Sequence, residues 1–238
     1  MPTLALLRHG QSQWNLENRF TGWVDVDLTA EGAAQALKGG ELLKAEGVAF
    51  DRAYSSVLTR AIRTGEIALQ AADQLWIPMV KDWRLNERHY GGLTGMNKAE
   101  TADKHGDDQV KLWRRSYDVP PPPLESGGPY DFNKDRRYAG APIPDTESLK
   151  TTLERVLPYW TAEIAPQIAQ GETLLIAAHG NSLRAIVKHL FDVGEDDIVE
   201  VEIPTGNPLL IDLDAGLKPR TARYLDDARA QPLPRMPS

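Results

Sequence analysis

The chain has 238 residues, enough for one α/β domain with a sizeable buried core. Its 27 Lys and Arg against 34 Asp and Glu give a formal charge of −7 and a pI near 5.3, a balance that repels nucleic-acid backbones and anionic membranes. It contains no cysteine, hence no disulfide and no thiolate nucleophile or metal ligand, and no stretch approaches the roughly 20 apolar residues of a membrane span.

In chain order, TLALL at 3–7 is a short apolar run before the turn-prone His9-Gly10 and reads as a buried strand. Thr29 is placed to cap a helix running to about residue 46, with Ala33, Leu37 and Leu43 at helical spacing and Gly47 to end it. DRAYSS at 51–56 predicts a second strand, feeding a helix in which Leu58, Ala61, Ala68 and Leu69 share a face. MVKDW after Pro78 predicts a third. LNERHYGGLTGMNKAE, with paired glycines, predicts an exposed loop entering a helix, and the Pro- and Gly-rich residues 118–146 a surface insertion.

Leu149, Leu153, Val156, Leu157, Trp160 and Ile164 predict an amphipathic helix bent at Pro158. TLLIAA at 173–178 predicts a buried strand running into His179-Gly180-Asn181-Ser182 and the helical LRAIVKHLF. VEVEIP and LLIDLD predict two more strands, and the residues from 226 on a mobile tail with little to bury. This alternation implies one α/β domain over residues 1–225, a three-layer α/β/α fold around a mostly parallel sheet. An N-terminus without a signal-peptide pattern leads to the expectation of a cytoplasmic protein.

The chemistry is announced by an echo. RHGQS at 8–12 and HGNS at 179–182 each place His-Gly-x-Ser just beyond an apolar strand. In open parallel sheets the carboxyl ends of strands face one crevice, so His9 and His179 are expected to meet there. YSSVLTR has the same layout and puts Arg60 in the first turn of a helix, where free N–H groups already favour phosphate. Arg8 and Arg60 add permanently charged, planar forks. Arg63 reads as a solvated helix charge. His89, His105 and His189 carry no proposed chemistry, and Trp14, Trp23, Trp83 and Trp160 read as packing residues.

LRHGQSQWN at 7–15, RFTGWVDVDLT at 19–29, YSSVLTRAIRT at 54–64, LNERHYGGLTGMNKAE at 85–100 and WRRSYD at 113–118 together resemble the cofactor-dependent phosphoglycerate mutases of the histidine phosphatase superfamily. The resemblance runs to about residue 225. It implies that His9 is the phosphorylated nucleophile, that Glu87 gives and takes the proton, and that His179, Arg8 and Arg60 stabilise the moving phosphoryl group. It further implies a substrate pocket lined by Ser12, Asn15, Thr21, Gly22, Tyr90, Lys98, Arg114, Arg115, Gly180 and Asn181. The expected ligands are small phosphorylated three-carbon acids with 2,3-bisphosphoglycerate as primer, no metal, and a homodimeric or homotetrameric assembly. Imidazole suits the role, since its pKa near 6.5 leaves neutral nucleophile at neutral pH. A phosphatase or a bisphosphoglycerate synthase on the same His9, or a silent phospho-ligand module, would use the same pocket. Two departures stand out: Gln11 replaces a common Glu, and the carboxyl-terminal segment is short and Pro-rich.

Overall fold

The computed structural model describes residues 2–125 and 127–237. Its strands are β1 (Thr3–Arg8), β2 (Arg52–Ser55), β3 (Met79–Lys81), β4 (Leu174–Ala178), β5 (Leu209–Leu213) and β6 (Pro219–Tyr224). They form one sheet in the order β3-β2-β4-β1-β5-β6. The first four run parallel; β5 is antiparallel to β1, and β6 to β5.

Helices are α1 (Gln13–Leu16), α2 (Ala30–Ala45), α3 (Thr59–Ala71), α4 (Lys98–His105), α5 (Asp107–Arg115), α6 (Leu149–Tyr159), α7 (Ala165–Ala169) and α8 (Gly180–Phe191). Thr29 caps α2 by accepting from the Gly32 amide at 3.0 Å. Pro158 is accommodated without a break: a π turn over Trp160–Ile164 links α6 to α7.

Alternation along β1 divides the core in two. Leu4 and Leu6, with Leu174 and Ile176 of β4, pack under Leu149 and Val156 of α6 and Leu183, Ile186 and Leu190 of α8. Ala5 and Leu7, with Leu175, face Leu43 of α2 and Ala68 and Leu69 of α3. Side chains of period two on strands buried on both faces thus generate the three layers expected from the sequence.

The sequence misreads two regions. VEVEIP is no strand; a 3₁₀ turn at Asp197–Glu200 leads into an irregular segment with Val201 and Ile203 buried. The sixth strand is instead PRTARY, charged and at the sheet edge, where burial imposes no apolar pattern. The loop after Trp83, expected to be exposed, is buried at Leu85, Asn86, Arg88 and His89. The reason is a satellite core: Phe132 and Tyr138 of the 118–146 segment pack against Trp23, and Phe132 meets the His89 ring edge-on at 5.4 Å. Past residue 225, Asp226 and Asn207 exchange two hydrogen bonds, Arg229 donates to the Thr205 carbonyl at 3.0 Å, and Leu233 packs on the core. Among the described residues no helix is long and apolar enough to cross a membrane.

Candidate active site

Arg8 ends β1 and Ala178 ends β4, and the two are partners in the parallel ladder. The next residue on each strand, His9 and His179, therefore leaves the sheet beside the other. The ring centroids lie 5.0 Å apart at 63°, close to the roughly 4.8 Å that separates neighbouring strands. His9 Nδ1 is 2.7 Å from the Gly10 carbonyl. A carbonyl only accepts, so Nδ1 carries the proton and Nε2 keeps the lone pair of a nucleophile.

Both rings are buried. Burial, then Arg60 and Arg8, hold the His9 pKa well below its usual 6.5, against the opposing bond to Gly10. Burial, then Arg60 and His9, do the same for His179. Two neutral imidazoles thus face each other at neutral pH. Ser56, just past β2 and not singled out in the sequence, sets its Oγ 2.7 Å from His179 Nε2 while accepting from the Leu58 amide at 3.1 Å.

Arg60 is 1% exposed at the start of α3 and donates to the carbonyls of Gly22 and Val24 at 2.7 and 2.8 Å. Its Nε has no protein partner among the described residues, and burial lowers its pKa to about 10. Arg8 donates to the Ile203 carbonyl at 2.9 Å, again with Nε unpartnered. Buried guanidinium N–H groups left over in this way are what an anionic ligand would satisfy. Glu87 Oε1 accepts from the amides of Arg88 and Asn181 at 2.8 and 3.1 Å, which fixes the carboxylate against the amino-terminal turn of α8. Gly180 brings the pieces together: a Cβ there would sit 3.5 Å from Arg8 Cζ and 3.6 Å from Glu87 Oε2.

Arg8 and Gly180, the residues next to the two histidines in the chain, line a cavity of about 250 Å³ with Glu87, Tyr90, Arg114, Arg115, Asn181, Arg184 and Glu202; His9, His179 and Arg60 do not line it. Lys98 joins it electrostatically. Burial, outweighing Tyr90, and then Arg114 and Arg8 lower its pKa. Burial pushes the Tyr90 phenol up, but adjacent Arg88 brings it below its ordinary value. Ser12, Asn15, Thr21 and Gly22 do not line this cavity. Ser12 and Asn15 form the capping box of α1, and Gly22 lies in the loop that Arg60 holds; Thr21 is buried with its hydroxyl unpartnered.

Residues 4–130 match the family pattern described as the Histidine phosphatase superfamily (branch 1). The chain belongs to the histidine phosphatase superfamily. Among curated relatives, a 2,3-bisphosphoglycerate-dependent phosphoglycerate mutase of Caulobacter sp. strain K31 is 76% identical over 98% of this chain and 99% of its own. One of the same name from Hyphomonas neptunium is 62% identical over the full length of both. Among solved structures, mycobacterial glucosyl-3-phosphoglycerate phosphatase with VO3 superposes with a TM-score of 0.70 at 20% identity, covering 94% of this chain and 97% of that one, a likeness of fold.

For a histidine phosphatase superfamily enzyme, the site divides naturally. The strand ends carry two neutral imidazoles, and the neighbouring cavity is walled by four arginines, Arg8, Arg114, Arg115 and Arg184, against two carboxylates, Glu87 and Glu202. Two of its walls escaped the sequence reading. Arg184, 5% exposed, donates to Asn181 Oδ1 at 3.0 Å and to the Ile198 carbonyl at 2.6 Å. Glu202 pairs with Arg115. A lone Arg within the apolar run LRAIVKHLF was the one available signal for the first.

Proposed function

We propose that this enzyme interconverts 3-phosphoglycerate and 2-phosphoglycerate through phosphorylated His9. The observation that carries the reading is a cationic cavity walled by Arg8 and Gly180, the chain neighbours of His9 and His179, beside a neutral imidazole whose Nε2 keeps its lone pair. Such a chamber suits a small acid that bears one phosphate to transfer and further negative charge to be held.

In this reading 2,3-bisphosphoglycerate, as primer, supplies the phosphoryl group that loads His9. Arg8, Arg60 and His179 surround the transferring group and offset its charge, so no metal is invoked. Glu87 takes the proton from the substrate hydroxyl as that oxygen attacks phosphorus and the P–Nε2 bond breaks. The bound bisphosphorylated acid reorients, His9 Nε2 attacks its other phosphate, and Glu87 returns the proton to the departing oxygen. Lys98, Arg114 and Arg115 hold the carboxylate and the phosphate that is not moving, with Tyr90, Gly180 and Asn181 shaping the chamber. Ser12, Asn15, Thr21 and Gly22 complete the substrate pocket in this reading, from the segment after His9 and from the loop that Arg60 holds.

We further place the protein in the cytoplasm, with residues 1–225 as one catalytic domain, residues 118–146 as an insertion and residues 226–238 as a tail. A homodimer or homotetramer accords with Leu75 and Trp76, which are 53% and 80% exposed just ahead of edge strand β3. Light scattering tests the assembly. A coupled assay of 3-phosphoglycerate conversion, with EDTA present and 2,3-bisphosphoglycerate added or omitted, tests the activity. Primer-stimulated turnover and acid-labile labelling of His9 are expected. Phosphate release without isomerisation would instead mean a phosphatase.

A further inference from the structure

Arg115 is already engaged. Its Nη2 contacts Glu202 Oε1, and the two side chains are about equally exposed, 35% and 42%. The pair stands between two spaces, lining both the 250 Å³ substrate cavity and a wider outer groove of about 710 Å³ that also touches Asp108, Asp118, Glu195 and Glu200. The backbone that presents Glu202 is anchored on both sides. Tyr224 donates to the Glu202 carbonyl at 3.0 Å, and Arg8 to the neighbouring Ile203 carbonyl at 2.9 Å. Burial would push the Glu202 carboxyl up, yet Arg115, Arg8 and Arg184 hold it below its ordinary value. It is a carboxylate aimed at the same guanidinium that a substrate carboxylate or phosphate would need.

We propose that Glu202 is a specificity-determining residue that competes with the substrate's anionic group for Arg115. The inference rests on the phosphoglycerate reading above. Entry of the acid exchanges one carboxylate for another anion at Arg115, and departure restores the internal pair. Affinity for the monophosphorylated acid is thereby held down, which favours release of the isomerised product.

The test is Glu202→Gln, with Glu202→Asp as a charge-preserving control and thermal melting to confirm that both are folded. A half-exposed ion pair is a weak interaction, so Glu202→Gln is expected to lower KM for 3-phosphoglycerate about 1.4- to fivefold without raising kcat. Binding of 2,3-bisphosphoglycerate, read by calorimetry, is expected to tighten in step, while Glu202→Asp stays near the parent. An unchanged or higher KM with unchanged or weaker binding would mean that Glu202 merely props Arg115 in place, and would overturn the proposal. The calorimetric arm also separates the two claims: if the parent fails to isomerise, the mutase reading falls, while binding still decides the role of Glu202.

Discussion

The Nε of Arg155 lies 2.6 Å from Oε1 of Glu147 in an ion pair whose side chains are 7% and 3% exposed. The same guanidinium donates to the carbonyls of Arg84 at 2.7 Å and Glu87 at 3.2 Å, while Glu147 Oε2 accepts from the His89 amide at 2.8 Å. Helix α6 therefore grips the loop carrying Glu87 from behind. Arg155→Ala strands a buried carboxylate and leaves those carbonyls without a donor, at an expected cost of about 3–5 kcal/mol. An Arg155→Met, Glu147→Leu double variant should recover part of the stability but not of kcat, because Glu87 stays unpinned. Denaturant unfolding and steady-state kinetics on the three proteins check this, and equal loss of stability in the single and double variants would count against it.

The depressed histidines give stability a definite pH dependence. In the unfolded chain His9 and His179 titrate near 6.5, whereas folding holds both well below it. His89 follows, lowered to about 4 mainly by burial. Between the folded and unfolded values the unfolded state binds the extra protons. Stability is accordingly complete above about pH 6.5 and drains away as pH falls toward the folded values. Melting temperature should drop steadily from about pH 7 to about pH 5, and His9→Asn should flatten the slope. A pH-independent melting curve over that range would refute the assignment of neutral imidazoles.

Gly10 and Gly32 bring two backbones into direct contact. A Cβ on Gly10 would overlap the Gly32 carbonyl, and a Cβ on Gly32 would overlap the Gln11 carbonyl. The obstacle is backbone in both directions, so it cannot rotate aside. Gly10→Ala should cost about 1–3 kcal/mol or more and, by moving the carbonyl that His9 Nδ1 bonds, should slow phosphorylation of His9 as well. Gly47→Ala makes a useful contrast. A Cβ there meets nothing within 4 Å, although its φ of +71° makes the change mildly unfavourable, and the phosphorylation rate should hold.

Leu233, Arg235 and Met236 line a different groove, shared with Trp160 and His189, and among the described residues none beyond Ile203 lines the 250 Å³ cavity. Stopping the chain after Ala230 should thus lower the melting temperature through loss of the Leu233 packing while leaving the phosphohistidine lifetime unchanged. A shortened lifetime would show that the tail shields His9 from water after all.

Legibility in the sequence followed locality. β1 and β4 are unbroken apolar runs, Thr29 caps α2 from within one turn, and the repeated His-Gly-x-Ser signals two equivalent strand ends; each needs only neighbouring residues. VEVEIP misleads because its alternation is real but serves no ladder. Val201 and Ile203 turn into the core, Glu202 turns to Arg115, and the Ile203 carbonyl is taken by a side chain. β6 hides because an edge strand reading PRTARY needs no apolar face. The 85–89 loop looks solvent-exposed until Trp23, donating to the Glu87 carbonyl at 2.7 Å, and Arg155 are seen packed over it from distant parts of the chain. Ser56 and Arg184 are hidden for a related reason, since the contacts with the His179 ring and the Ile198 carbonyl come from other elements of the fold.

Because Arg8 and Ala178 face each other across a parallel ladder, the separation of His9 and His179 is a lattice constant of the sheet rather than the outcome of loop folding. Apart from Arg8 and the first residues of α8, the cavity walls come from elsewhere, from the 87–90 loop, the end of α5 and the 201–203 segment. An engineer could recut those walls for a bulkier or less charged acid and expect the two imidazoles to keep their spacing. The spacing of the two rings belongs to the frame, and the shape of the chamber beside them to its upholstery.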